Sequence, residues 1–293
     1  MRGESSNITE IQVFLMSNNS QYTWKPEKEN VLSPLTLFEL LIAVSKLLIF
    51  LFFTIGVLIL LIPMFVLGIN HQKLPIFKLW AKVALSMCSL KVVVSGSPIQ
   101  TGLIISNHIS WIDILAILSI RTGSFVSKSE VKKWFLVGSL AELANTIFIE
   151  RNPHKIKEQI KVLGKSLSDS GLIILFPEGT SSDGQRLLPF RSGLFESLYH
   201  NIDELSYKVK VQSLTIYYKV EHDLDEDFFA WYHSRTLLGH ILRVLANVHK
   251  SKIYLTFDQA QDISKFKNRK KLSKFMFDNI SKNFLRHLDE SKN

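Results

Sequence analysis

The apolar residues of the chain fall into runs of different lengths, and each length predicts a different element. The longest, LLIFLFFTIGVLILLIPMFVLGI from Leu47 to Ile69, holds no charged residue. A bilayer-crossing helix needs about 20 apolar residues, and a helix of a soluble protein rarely stays apolar on every side. Residues 35–72 are therefore expected to anchor the chain in a membrane, as one helix or as a helix pair dipping into one leaflet. Glu39 and Lys46 before the run, and Gly56 and Pro63 inside it, leave both geometries open. Shorter apolar runs closed by Gly, Asn or Pro follow: KVVVSG at 91–96, TGLIISN at 101–107 and LIILF at 172–176. Such runs mark strands buried on both faces of a sheet.

Between them the period changes. WIDILAILSI (111–120), SEVKKWFLVGSLAEL (129–143) and HKIKEQIKVLGKSLSDSG (154–171) read as helices. GSFVSK, NTIFIER, KVKVQSLTIYYKV and SKIYLTFD read as strands. This alternation predicts an α/β fold, with a mixed, largely parallel sheet flanked by helices. Residues 73–90 predict a connecting amphipathic helix with an aromatic and basic face (Phe77, Lys78, Trp80, Lys82). At the C-terminus Leu272, Met276, Ile280, Phe284 and Leu288 recur every four residues beside a Lys-rich flank. That pattern predicts a helix packed on the core, with an interfacial contact with anionic lipid as the functional alternative. The expected organisation is a mobile polar tail at 1–34, the anchor at 35–72, an α/β domain at 73–261 and a basic amphipathic helix at 262–293.

Charge narrows the partner. The net charge is +9, and residues 262–293 carry nine Lys/Arg against four Asp/Glu, over half of that excess. A basic balance implies an anionic partner, whether nucleic acid, membrane surface or phosphorylated substrate. The apolar run selects the membrane. Lys73, Lys78 and Lys82 beyond it would place the C-terminal bulk in the cytoplasm if the helix spans. Cys88 is the single cysteine, so no disulfide can form within the chain, as suits a reducing compartment.

In an open α/β sheet, chemistry gathers in loops at the carboxyl ends of strands. SNHISWID follows one strand. Ser110 and Asp113 make the S-x-x-D pattern of a helix start, with His108 just outside in the loop. Asp113 either caps only, or also turns back to His108 Nδ1 and leaves Nε2 as a base. A second loop, FPEGTSSDGQR, combines glycine, backbone amides, Arg186 and Arg191, which suit a phosphate. Arg151 closes NTIFIER.

NHISWID resembles the N-H-x-x-x-x-D motif of the glycerophospholipid acyltransferase family, which includes the PlsC-like 1-acyl-sn-glycerol-3-phosphate acyltransferases. FPEGTSS resembles that family's F-P-E-G-T motif, and FIER its arginine-bearing block. Order and spacing agree over roughly residues 80–260. The resemblance implies an enzyme with His108 as general base and Asp113 as its orienting partner. Arg151, Glu178, Gly179 and Thr180 would hold the acceptor's phosphate and glycerol. Lys128, with Glu130 in a segment resembling the family's K-x-E, would assist. It implies transfer of a fatty acyl chain from acyl-CoA or acyl-ACP to lysophosphatidic acid, giving phosphatidic acid in phospholipid biosynthesis. Neither metal nor cofactor is required, since the acyl thioester is a co-substrate and acyl carrier protein one form of it. The setting would be a bacterial inner membrane, cytoplasmic side. Three positions depart from the pattern: Asn145 for glycine, Phe135 for proline and Ser213 for proline. FFAWYHSRTLLGHILRVL (228–245) resembles bacterial members that acylate other lyso-lipids, such as lyso-ornithine lipid, and this stands as the alternative acceptor class.

Rival chemistries lack their motifs. There is no G-x-S-x-G elbow for a serine hydrolase, and Gly164-Lys165-Ser166 lacks the upstream glycine of a phosphate-binding loop. His233 and His240 have no metal-ligand spacing to a partner and are expected to be structural. EHDLDED (221–227) is expected to be a solvated loop. Nucleic-acid binding explains the charge but neither the anchor nor the motifs. A membrane lipid-binding protein that kept the fold without turnover is the non-enzyme alternative.

Overall fold

The computed structural model describes residues 34–67, 75–134, 137–143, 145–149, 171–195 and 209–292. The expected tail as far as residue 33, Arg151 and the helix expected over 154–170 lie outside the described residues.

The first element is helix α1, Leu37–Val66. Thr36 and Glu39 close its start reciprocally: Thr36 N–H donates to Glu39 Oε2 at 2.8 Å, and Glu39 N–H to Thr36 Oγ1 at 3.3 Å. This is a capping box, so Glu39 belongs to the helix end. One stripe of α1 (Ala43, Thr54, Val57, Leu61) is buried, while Leu37, Phe38, Phe52, Ile59 and Val66 are exposed. The buried stripe packs on α2, Pro75–Met87, and on α5, Leu237–Ala246. Lys46 extends to these helices, donating to Met87 O at 3.1 Å and Asn247 O at 2.9 Å. A cation there meets the negative ends of both helices and satisfies carbonyls that lack intrahelical partners. Trp80 Nε1–H donates to Thr54 Oγ1 at 3.0 Å. In α2 the aromatic and basic residues do not share a face: Phe77 and Trp80 are buried and Lys82 is exposed.

The described strands form one eight-stranded sheet. They are β1 (Leu90–Ser95), β2 (Gly102–Ser106), β3 (Ser124–Lys128), β4 (Ile147–Ile149), β5 (Leu172–Leu175), β6 (Lys210–Lys219), β7 (Ser251–Phe257) and β8 (Gln261–Asp262). The order is β1-β7-β6-β2-β5-β3-β4, with β8 beside β6. All neighbours are parallel except β6 with β7 and β6 with β8. The sheet is thus mixed and largely parallel. The other described α-helices are α3 (Ile112–Ile120), α4 (Val137–Leu143) and α6 (Arg269–Lys292). The single helix expected over 129–143 is broken into a 3₁₀ turn at Ser129–Lys133 and then α4. Gly138 accounts for the break. Its backbone passes so close to Lys132 O that a Cβ would lie 2.1 Å from it, a fold-back open only to glycine.

The sheet is covered on both faces. On one, Leu272, Met276 and Ile280 of α6 are fully buried against Leu103, Ile105, Ile173, Leu175 and Val211. The C-terminal helix is therefore a core element on its apolar side. The alternate side chains, Ile104 and Ile174, are equally buried and face the layer of α2 and α3. Residues on consecutive positions of one strand thus serve two different layers.

Candidate active site

Strands β2 and β5 are parallel neighbours, with Ile105 paired to Leu175. The loops that leave their carboxyl ends, SNHISWID and FPEGTSSDG, therefore emerge side by side. Strand β6 flanks β2 on its other edge, with Ser106 paired to Leu214. Asn107 extends that pairing with its side chain: Nδ2–H donates to Ile216 O at 2.9 Å, and Ile216 N–H donates to Asn107 Oδ1 at 2.8 Å. The amide acts as one more rung of the sheet and fixes where the loop begins.

His108 is the next residue. Its Nδ1 lies 2.8 Å from Asp113 Oδ2. The same oxygen accepts the Ile109 N–H at 2.7 Å and the Ser110 N–H at 2.9 Å. Asp113 is fully buried, whereas the His108 side chain is 18% exposed. The carboxylate is held inside and the imidazole reaches outward with Nε2 as the nitrogen not engaged by Asp113. Only half of the S-x-x-D box forms. Asp113 reaches back to the Ser110 amide, while the buried Ser110 Oγ has no hydrogen-bond partner, and α3 begins two residues later, at Ile112. The acid of the box serves the histidine as well as the helix end.

The FPEGTSS loop holds His108 from the other side. The Phe176 ring stacks on the imidazole at 4.3 Å between centroids. Ser182 N–H donates to His108 O at 2.9 Å, and His108 N–H donates to Glu178 Oε1 at 3.3 Å. Glu178 faces inward, 2% exposed, and burial pushes its carboxyl well above the usual range, against the His108 and Leu188 amides that lower it. Its Oε2 is buried without a protein partner. Gly179 adopts φ +70°, and a Cβ there would meet Arg191 Nε at 3.1 Å, so the arginine side chain lies over the glycine. Arg186 Nε–H donates to Asp183 Oδ2 at 3.1 Å. Thr180 is half-buried at the same turn. Lys128 ends β3, in register with Ile149 of β4. Asn145 takes φ +50° as its turn requires, and Ser213 Oγ–H donates to Asp258 Oδ2 at 2.7 Å. Phe135 and Arg151 lie outside the described residues.

Two components are absent from the sequence reading. Tyr218 of β6 donates its hydroxyl to Asp113 Oδ1 at 2.6 Å. The segment 227–235 forms a strap across the motif loops. Trp231 N–H donates to Ile109 O at 3.0 Å, and Ser181 Oγ–H donates to Trp231 O. Asp227 and Arg235 brace the strap from inside, with Arg235 Nη2 to Asp227 Oδ2 at 2.6 Å and both side chains buried. The acidic run 221–227 is thus solvated over most of its length but ends in a buried ion pair. The only sign of this in the sequence was an arginine eight residues on. His240 is structural as expected: Trp111 Nε1–H donates to its Nδ1 at 2.9 Å.

The acyltransferase family model matches residues 91–217, which contain both motif loops. The chain is 32% identical over 194 residues to a lyso-ornithine lipid O-acyltransferase of Rhodobacter capsulatus, covering 66% of this chain and 69% of that protein. It is 34% identical over 212 residues to the lyso-ornithine lipid O-acyltransferase of Rhizobium meliloti, covering 69% and 72%. The chain belongs to the glycerophospholipid acyltransferase family. Within that family it is also 38% identical to a 1-acyl-sn-glycerol-3-phosphate acyltransferase of Neisseria gonorrhoeae, over 96 residues, 32% of this chain and 38% of that one. Its fold is that of the 1-acyl-sn-glycerophosphate acyltransferase PlsC from Thermotoga maritima, with a TM-score of 0.52, 21% identity and coverage of 85% and 95%. Membership of this family implies an acyl donor and a lyso-lipid acceptor, and helix α1, with a mean hydropathy of 2.6 over Leu37–Pro63, is long and apolar enough to cross a membrane.

Proposed function

We propose that this acyltransferase moves a fatty acyl chain from acyl-CoA or acyl-ACP to the free hydroxyl of a lyso-lipid, with His108 as the general base. The observation that carries this reading is the 2.8 Å contact between His108 Nδ1 and the buried Asp113. It supports the tautomer with the proton on Nδ1, which leaves Nε2 free to serve the acceptor. Nε2 takes the hydroxyl proton as the acceptor oxygen attacks the thioester carbonyl. The new C–O ester bond forms, the C–S bond breaks, and the thiolate leaves with the proton returned from His108.

For the acceptor, lyso-ornithine lipid has the broader support, since the relatives named for it align over about two thirds of both chains. Lysophosphatidic acid is the second reading. It is favoured by the relatives whose higher identity is concentrated in 96 residues and by Arg186 and Arg191 in the FPEGTSS loop. Arg151, Gly179, Thr180 and Lys128 are proposed to line the acceptor side, with Glu178 shaping the loop through the His108 amide. The protein is proposed to work at the cytoplasmic side of a bacterial inner membrane.

The test is acyl transfer by detergent-purified protein, wild type and His108→Ala, with lyso-ornithine lipid, lysophosphatidate and glycerol 3-phosphate offered in parallel. Loss of the base is expected to lower turnover by about 10²–10⁴-fold. Near-native turnover by a folded His108→Ala protein would overturn the mechanism. Transfer to lysophosphatidate alone would move the acceptor to the second reading.

A further inference from the structure

We infer that Tyr218 is a positioning residue of the transfer reaction, which sets both the plane of the Asp113 carboxylate and the proton affinity of His108. The inference rests on His108 being the base. Asp113 Oδ2 is shared by three donors, His108 Nδ1 and the amides of Ile109 and Ser110. Those three alone leave the carboxylate able to pivot about Oδ2. The Tyr218 hydroxyl, 2.6 Å from Oδ1, locks the other end. Tyr218 itself has little freedom. It lies in β6 between β2 and β7, with its Cα in register with Ile253, and its ring stacks on Phe229 at 5.7 Å. Its neighbour Tyr217 points to the opposite layer and stacks on His287, so one tyrosine of the pair serves packing and the other serves the site.

The electrostatic consequence has a definite sign. A hydroxyl donated to Asp113 draws negative charge away from the carboxylate that faces His108. Removing it leaves a stronger anion beside the imidazole, which favours the protonated ring. His108 then stays protonated, and unable to act as a base, up to a higher pH. Burial, with Asp113 alongside, holds the Tyr218 phenol well above its ordinary range, so it remains a donor throughout. The other titratable groups facing this cluster are Glu178 and Asp183 from the FPEGTSS loop and Cys88 behind the phenol. All three are present in both proteins.

The experiment compares wild type with Tyr218→Phe by two readouts. In acyl transfer, kcat is expected to fall, by less than the roughly 10²–10⁴-fold of losing the base itself, with KM for the donor unchanged, and the acid limb of the pH profile to move up by about half to one pH unit. The second readout needs no turnover: the His108 imidazole resonance is titrated by NMR in detergent and assigned by its loss in His108→Ala. Its midpoint is expected to move up by the same amount. If Tyr218→Phe does not fold, 3-fluorotyrosine at 218, a stronger donor of nearly equal size, is expected to move the midpoint down. A lowered melting temperature with both pH responses unmoved would overturn the inference, leaving Tyr218 as packing only. Wild type that transfers to no acceptor, but whose His108 midpoint still responds to Tyr218, would overturn the proposed reaction and not this contact.

Discussion

His240 shows how a single side chain can tie folding to pH. Trp111 Nε1–H donates to Nδ1 at 2.9 Å, and Nε2 lies 3.2 Å from Phe228 O. Only the neutral ring with its proton on Nε2 satisfies both contacts, because a proton on Nδ1 would face the indole N–H. Burial, reinforced by Arg235, lowers its pKa from 6.5 to about 4. The folded-state value is depressed, so between about 4 and 6.5 the unfolded chain binds the extra proton. The stabilisation is fully present above about 6.5 and is lost as the pH falls toward 4. The loss over that window is on the order of 3 kcal/mol. Melting temperatures measured from pH 7 down to 4.5 are expected to fall more steeply for wild type than for His240→Gln, which keeps an acceptor and a donor but does not titrate. Equal slopes would show that His240 does not carry the effect.

At the scale of elements, α1 behaves as part of the folded domain. Its apolar length alone describes a free-standing anchor, but Lys46 and Thr54 on its buried stripe bond to α2 and to the ends of α2 and α5. Lys46→Met keeps the bulk and removes two charge-assisted hydrogen bonds, which are worth about 1.5–3 kcal/mol each. The variant is expected to melt at lower temperature in detergent. An unchanged melting temperature would mean that docking depends on the apolar stripe alone. The strap 227–235 follows the same logic: the buried Asp227–Arg235 pair holds Trp231 against both motif loops. A surface acidic run and an aromatic cluster, adjacent in sequence, thereby have separate duties.

For the whole molecule, the two faces of the sheet have different surroundings. The exposed apolar residues Phe38, Phe52 and Ile59 lie on α1, which packs with α2 and α5. Helix α6 covers the opposite face, and its Lys282 points outward. Contact with a bilayer through α1 therefore leaves the basic side of α6 away from the lipid. Single cysteines make this measurable, because the native Cys88 is 2% exposed and burial raises its thiol pKa to about 12, which keeps it unreactive. In liposomes, Phe52→Cys and Ile59→Cys are expected to be protected from an aqueous maleimide, and Lys282→Cys labelled at its rate in detergent. Protection at 282 would restore lipid contact for the C-terminal helix.

The sequence by itself determined what depends on neighbours along the chain. Apolar runs of strand length gave the mixed, largely parallel sheet. The order of loops behind them put His108 and FPEGTSS each at the carboxyl end of a strand, and the S-x-x-D spacing brought Asp113 within reach of His108, whereas the pairing of β2 with β5 makes the two loops neighbours. A four-residue period showed the buried stripe of α6. What only the tertiary structure decided depends on residues far apart in sequence. Tyr218 meets Asp113 across 105 positions, and nothing local distinguishes it from Tyr217 except which face of the sheet each side chain takes. The motif resemblance alone says nothing of where Glu178 points; it turns inward because the parallel pairing of β2 and β5 sets the His108 amide beside it. Lys46 reads as a charge intruding on an anchor, and it is placed by two helix ends that the chain reaches 41 and 201 residues later. Period and spacing encode elements and loops, whereas the partners of a buried charge are chosen by the packing of layers.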